Sequence, residues 1–143
     1  MAHGDVTLYN NYKEQLFAGT LDHDAASAIK CMLVSAHTPD IDTHAAYADA
    51  SLDEYGAGLG YTVGGVVVTG GAFSQDNSID KGVFNIADVV FATLGPLSPV
   101  TPSHAIFYFE SLDVLIGFVE LGVTPTNGLD YTLGVNVGGL INI

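Results

Sequence analysis

The chain has 143 residues, about one domain, and is long enough to bury a core without a metal or a disulfide. Sixteen acidic residues against three lysines, with no arginine, give a formal net charge of −13. This balance argues against binding to nucleic acids or to anionic membrane surfaces, because both require lysine or arginine to face phosphate groups.

Despite its net charge, the sequence is apolar, with 13% charged residues and a mean hydropathy of +0.36. Some of the apolar residues fill a core. The others predict an apolar surface patch that forms an interface with another protein. We therefore expect an oligomer or a subunit of a larger assembly. The first five residues have neither the basic start nor the apolar segment of a secretory signal.

The only cysteine, Cys31, rules out an internal disulfide. It lies in the apolar run of residues 29–34, where cysteine usually behaves as a small buried hydrophobe. We expect a buried thiol without a catalytic role.

The first predicted element is an amphipathic helix over residues 6–18, ending before Gly19. Leu8, Tyr12 and Leu16 share one face at helical spacing, with Tyr9 and Phe17 beside them. Because a short helix is marginal on its own, residues 1–20 are interpreted as a helical segment that is a candidate interface arm.

After this helix, short runs of strand-forming residues alternate with turn-forming residues. A short helix capped by Thr43 is expected over residues 43–49, and a glycine-rich connector over residues 53–60. Turns are expected at residues 76–77, 80–82 and 125–128, and a proline-containing loop at residues 95–102. Strands are predicted at residues 29–35, 61–69, 83–91, 105–110, 114–121, 131–137 and 140–143.

This spacing predicts one mainly β domain over residues 1–143, an antiparallel β-sandwich or a partly closed barrel with a short N-terminal helix. The glycine pairs at residues 64–65, 70–71 and 138–139 do not fit phosphate-binding loops. In strands, such pairs are typical of bulges or of close packing.

The best candidate for site chemistry is residues 40–44, Asp-Ile-Asp-Thr-His, followed by Asp49. In an extended chain Asp40, Asp42 and His44 lie on one side, where they are suited to hold a divalent cation. The alternative is a turn with a helix cap, in which the same side chains bond local backbone amides.

The other histidines give weaker signals. Residues 22–24, Asp-His-Asp, are typical of a solvated turn, and His104 opens a strand as a polar end residue. His3 and His37 have no obvious partner in the sequence. Since no nucleophile elbow is present either, we expect no catalytic site, no cofactor and no metal, and hence a protein that is not an enzyme.

Several segments, taken in order, form a pattern that covers most of the chain. They are residues 9–16 (YNNYKEQL), 21–22 (LD), 29–35 (IKCMLVS), 39–44 (PDIDTH), 60–65 (GYTVGG), 76–77 (DN), 131–133 (YTL) and 138–140 (GGL), with Tyr47, Asp49, Ser51, Glu54, Phe84, Asp88, Val89 and Asn136. This pattern resembles a family of small virion structural proteins of tailed bacteriophages. In two places the chain differs from the family pattern: Phe91 and Val135 stand where tryptophans are common.

The resemblance implies a component of a phage particle made in the host cytoplasm. Within the family we favour a head-decoration, or cement, protein that sits on the outer capsid surface. It would bind the major capsid protein and self-associate as a homotrimer.

Two other functions remain open. One is a tail, tail-tip or fibre component with a receptor-binding role, for which Tyr108 or Tyr131 are candidate contact residues, although core packing is the favoured use of both. The other is a soluble carbohydrate-binding module, for which residues 40–44 are the only support.

Overall fold

The computed structural model describes residues 6–23, 29–55, 60–94, 102–121, 129–135 and 139–143. It confirms a mainly β, sandwich-like fold with antiparallel sheets, and it is not a closed barrel. The elements are β1 (Thr7–Leu8), α1 (Asn10–Phe17), β2 (Ile29–Ser35), α2 (Ala48–Ser51), β3 (Val66–Val67), β4 (Ala72–Asp76), β5 (Lys81–Asn85), β6 (Val89–Leu94), β7 (Pro102–Phe109), β8 (Val114–Glu120), β9 (Leu129–Leu133) and β10 (Ile141–Asn142).

The strands in the described ranges form three antiparallel sheets. The largest has the order β1-β8-β7-β2-β3, a second has the order β10-β5-β4, and β6 pairs with β9. Buried residues of all three sheets belong to one hydrophobic cluster, so the sheets share a core.

Strands β2 and β7 are buried on both faces. Four consecutive β2 residues, from Cys31 to Val34, are 0% exposed. This explains why the sequence there is a continuous apolar run and does not alternate. The prediction that Cys31 is buried is confirmed, and burial raises the pKa of its thiol well above the usual range.

The N-terminal segment differs from the predicted helix because its first residues are a strand. Thr7 and Leu8 pair with Phe118 and Gly117 of β8, and α1 begins only at Asn10. A Cβ on Gly117 would lie 2.7 Å from the Thr7 carbonyl oxygen, so the missing side chain lets β1 approach. The segment is therefore integrated into the large sheet.

The hairpin of β4 and β5 was not predicted, because β4 is exposed and lacks apolar alternation. The two expected turn signals belong to a single turn, residues 77–80, between the paired residues Asp76 and Lys81. An Asp76 carboxylate oxygen accepts bonds from the backbone N–H and the hydroxyl of Ser78, which fixes this turn.

The strand predicted over residues 83–91 is two strands in different sheets. β5 ends at Asn85, and β6 starts at Val89 and pairs with β9. Between them, the Ala87 N–H bonds the Thr69 carbonyl and Asp88 accepts from the Val135 N–H. These bonds hold residues 86–88 in place where the chain passes from the sheet of β5 to the sheet of β6.

The predicted strand over residues 61–69 is reduced to β3, two residues that pair with β2. Gly64 and Gly65 both have positive φ, of 94° and 79°, and lie in a turn directly before β3, so the strand starts only at Val66. A Cβ on Gly65 would lie 2.6 Å from the Cys31 carbonyl carbon, so this pair serves close packing as predicted.

Three boundaries also change. The short helix α2 covers residues 48–51 and not 43–49, β9 covers residues 129–133 and not 131–137, and β7 begins at Pro102, which had been assigned to a loop. Proline is tolerated as the first residue of a strand because it has no N–H to donate. The expected turn at residues 125–128 lies outside the described residues, as do residues 136–138. No helix among the described residues is long and apolar enough to cross a membrane.

Candidate functional site

Residues 40–44 form a turn that is stabilised by hydrogen bonds between its own side chains and backbone. An Asp40 carboxylate oxygen accepts the N–H groups of Asp42 at 3.0 Å and Thr43 at 3.2 Å, and these bonds lower the pKa of Asp40. Asp42 instead accepts a bond from the Asn10 side chain, at 2.7 Å. Thr43 is therefore not the helix cap that the sequence predicted.

Asp49 also binds backbone groups. One carboxylate oxygen accepts the N–H groups of Ala45 and Ala46 at 2.8 and 2.9 Å, which lowers the pKa of Asp49. Over the described ranges there is no group of three or more His, Cys, Asp or Glu side chains that fits a metal ion. The structure thus favours the turn interpretation of residues 40–44 over the cation site.

His37 has a partner that the sequence did not reveal. Its Nδ1 lies 2.7 Å from a carboxylate oxygen of Asp53, which is half exposed, while the His37 side chain is only 2% exposed. The other ring nitrogen, Nε2, is buried and has no hydrogen-bond partner among the described residues. His37 is thus held by one carboxylate on one side only.

Two further histidines lie against His37. The ring centroids of His44 and His104 are 5.4 and 6.5 Å from that of His37, and we call these three residues the histidine cluster. His44 also contacts Tyr9, and His104 contacts Phe118. Burial lowers the pKa of His104, although the charge of Glu120 opposes this shift.

A second polar cluster surrounds Glu54. Its carboxylate accepts the hydroxyls of Tyr47 and Tyr61 and the N–H of Gly64. Burial, reinforced by Glu54, raises the pKa values of both tyrosines. The tyrosine hydroxyls remain neutral donors, so this cluster fastens the loops against the large sheet.

Tyr108 is part of the core and not of a recognition surface. It is 3% exposed, its hydroxyl donates to the Gly64 carbonyl at 2.6 Å, and its ring packs on Tyr47. Tyr131 is half-buried and stacks on Phe91. Tyr108 thus has the core-packing role that the sequence favoured, and Tyr131 is only partly exposed.

A cavity with mainly apolar walls lies between α1 and the β10-β5-β4 sheet. It measures about 220 Å³, and we call it the apolar groove. Phe73 and Ile143 border it and are 57% and 59% exposed. The residues lining the groove are Tyr12, Leu16, His23, Phe73, Ser74, Gly82, Val83, Phe84, Ile141 and Ile143.

His23 lies in the wall of this groove, although the sequence predicted a solvated turn. Its ring contacts those of Phe84 and Phe109 with centroids 5.2 and 5.1 Å away, and its Nε2 is 2.7 Å from the Tyr12 hydroxyl. Burial lowers the pKa of His23, which favours the neutral ring. Asp24 and His3 lie outside the described residues.

Strand β4 is at the edge of its sheet among the described strands. Its residues from Ala72 to Gln75 are all exposed, including Phe73. An exposed edge strand offers unpaired backbone groups to another chain. The edge and the apolar groove therefore lie on the same sheet and form one candidate interaction surface.

Sequence reasoning missed both the histidine cluster and the groove. The members of each come from separate elements, and no local spacing connects them. No family model, curated protein or solved structure shows significant similarity to this chain.

Proposed function

We propose that this protein is a decoration, or cement, subunit on the outside of a phage head, where it binds the major capsid protein and self-associates as a homotrimer. The proposal is supported by the collinear resemblance of the sequence to small phage virion proteins. It is also supported by the mainly β fold, since a sandwich with one shared core suits a subunit that bears mechanical load.

The observation that carries the proposal is the apolar groove with its exposed rim. Phe73 and Ile143 expose more than half of their surfaces beside a cavity with apolar walls. Contiguous exposed apolar surface commonly marks a contact with another protein. A capsid surface repeats such a contact many times, so that moderate individual affinities add up through multivalency.

The charge of the chain is compatible with this position. With a net charge of −13, the subunit is repelled by the packaged DNA and not drawn to it. An acidic outer surface also keeps particles from associating with one another.

Cryo-electron microscopy of purified particles that contain the labelled protein tests the proposal. Density on the outer capsid lattice, at threefold positions, is the expected result. Density confined to the tail would overturn the decoration role and favour the tail component. If the protein is missing from particles, both roles fail, and glycan-array binding then tests the carbohydrate-binding alternative.

A pair of matched variants tests the contact surface. Phe73→Ser and Ile143→Ser each remove exposed apolar surface at the groove, and we expect lower capsid occupancy at equal protein concentration. Leu52→Ser is the control, because Leu52 is 93% exposed and lies outside the groove lining. Equal occupancy for all three variants would exclude the groove as the capsid contact.

The expected interface arm needs the same test by substitution and not by deletion. Tyr9 and Tyr12 are 0% and 1% exposed, so deleting residues 2–16 would remove part of the core. Phe17→Ser is the better variant, because Phe17 at the end of α1 is 90% exposed. Lower occupancy for this variant would extend the contact surface to the end of α1.

A further inference from the structure

The segment between β2 and α2 contains two of the three clustered histidines and is hydrogen-bonded to the first residue of α1. His37 and His44 belong to residues 36–46, which we call the latch segment, and His104 faces them from β7. Asn10 fixes the latch segment by two bonds, from its N–H to the Ile41 carbonyl at 3.0 Å and from its side chain to Asp42 at 2.7 Å.

The latch segment is held to the large sheet by few other polar contacts. The His37 N–H donates to the Ser103 hydroxyl at 3.2 Å, and the Leu115 N–H donates to the Ala45 carbonyl at 2.8 Å. Ala36, at its start, has φ of 51°, a left-handed conformation that is unfavourable for alanine. The contacts of the latch segment therefore hold it in its observed position against local backbone strain at Ala36.

Protonation of His37 would place an N–H group on both ring nitrogens, and one of these groups would lack an acceptor in the observed cluster. Asp53 pairs with Nδ1, but no residue in the described part of the chain accepts a bond from the buried Nε2. An imidazolium has two N–H groups, and a buried N–H on a charged ring is costly when it has no acceptor. Opening the latch segment would let water reach this nitrogen.

When two of the three histidines are protonated, their positive charges repel each other. The His44 and His104 rings are 5.4 and 6.5 Å from the His37 ring. Carboxylates do face the cluster: Asp53 faces His37, His44 helps to lower the pKa values of Asp40 and Asp49, and the charge of Glu120 acts on His104. Asp40 and Asp49, however, are already hydrogen-bonded to backbone N–H groups, and Asp53 is the one carboxylate within the described ranges that bonds the buried His37.

We propose that the histidine cluster is an acid-sensitive latch: below neutral pH its protonation releases residues 36–46 from β7, β8 and the start of α1 while the sandwich stays folded. Histidine is the side chain whose charge changes in this pH range. Because α1 also supplies Tyr12 and Leu16 to the apolar groove, release of Asn10 would loosen that surface. The inference concerns the isolated chain and does not rest on the proposed function.

Hydrogen exchange of the purified protein, followed by mass spectrometry at pH 7.5 and pH 5.5 and corrected for intrinsic exchange rates, tests the latch. We expect protection of residues 36–46 to fall by about tenfold or more at pH 5.5, as a local opening would cause, while β2 and β7 keep theirs. The His44→Gln and His104→Gln double variant should lose less protection at pH 5.5 than the wild type, because His37 is then the only ring of the cluster that gains a charge. His23→Gln lies outside the cluster, and residues 36–46 of this variant should lose protection at pH 5.5 by the same factor as in the wild type.

Three outcomes would overturn the latch. They are unchanged protection of residues 36–46 in the wild type, an equal loss in the double variant, and a simultaneous loss in β2 and β7, which would indicate global unfolding. If the double variant fails to fold, ring-proton NMR titration of the wild type decides. Histidine signals that titrate in coupled steps support the cluster, and independent single steps refute it.

Discussion

Asp53 and His37 are joined at 2.7 Å across 16 positions of the sequence, with the imidazole buried and the carboxylate half exposed. Asp53 also uses its backbone, since its carbonyl accepts the Ser35 N–H at 2.8 Å. The residue therefore connects the loop after α2 to the end of β2, and its side chain orients the ring at the centre of the histidine cluster.

Replacing this carboxylate should destabilise the fold. For Asp53→Asn we expect a loss of about 1 kcal/mol in the free energy of unfolding at pH 7, because the His37 ring loses a charge-assisted partner. Urea unfolding measures the loss, with Glu14→Gln as a control for removing an exposed acidic charge. A loss in Asp53→Asn that does not exceed the control would show that the contact contributes nothing.

The dependence of stability on pH should show two declines. Burial lowers the pKa values of His23 and His104 in the folded chain below 6.5, so the unfolded chain binds protons more tightly there. This contribution is complete above about pH 6.5 and is lost as the pH falls below it. The urea midpoint should therefore be lower at pH 5.5 than at pH 7.5, and the His23→Gln and His104→Gln double variant should lose less. A constant midpoint between these pH values would contradict the shifts.

The second decline comes from carboxylates. Hydrogen bonds lower the pKa values of Asp40, Asp49 and Asp76 below 3.8 in the folded chain. Their stabilising effect is present above about pH 3.8 and disappears as the pH falls through the folded values. Unfolding monitored between pH 5 and pH 2 should show this loss. Asp40→Asn should reduce it if the turn bonds are the cause.

Gly65→Ala should be among the most damaging single substitutions. The added Cβ would lie 2.6 Å from the carbonyl carbon of Cys31 and 2.8 Å from the Cα of Met32, both backbone atoms in the central strand β2. We expect a loss of about 3 kcal/mol or more. Gly19→Ala is the matched control: its φ of +72° is similar but nothing lies within 4 Å, so it should cost only about 1 kcal/mol. Thermal unfolding compares the stability of the two variants. Equal losses of stability would mean that the positive φ, and not the close contact with β2, determines the cost of the substitution.

Glu54→Gln should loosen the loops that pack on the large sheet. The carboxylate accepts from Tyr47, Tyr61 and the Gly64 N–H, and a glutamine amide replaces one of the two acceptor oxygens by a donor. We expect a loss of about 1–3 kcal/mol in the free energy of unfolding. Near-ultraviolet circular dichroism should also change as the tyrosines lose fixed positions. Glu14→Gln again serves as the control, and an unchanged tyrosine spectrum would refute the role of Glu54.

The sequence predicted the interior strands well and the exposed elements poorly. β2 was predicted with its observed bounds, and β8 within one residue, because both are continuous apolar runs that burial requires. β4 was missed because its residues are mostly exposed, so solvent imposes no pattern on them. The start of α1 was misplaced because Leu8 fits helical spacing equally well, although it pairs with β8.

The sequence by itself determined the mainly β class, the burial of Cys31 and the apolar character that predicts an interface, since these follow from composition and local periodicity. Only the tertiary structure decided that His37, His44 and His104 meet, that Asp53 pairs with His37, and that α1 and the β10-β5-β4 sheet enclose a groove. The physical reason is that each site joins residues from elements far apart in the chain. Their proximity depends on how the sheets pack, and no local pattern records it.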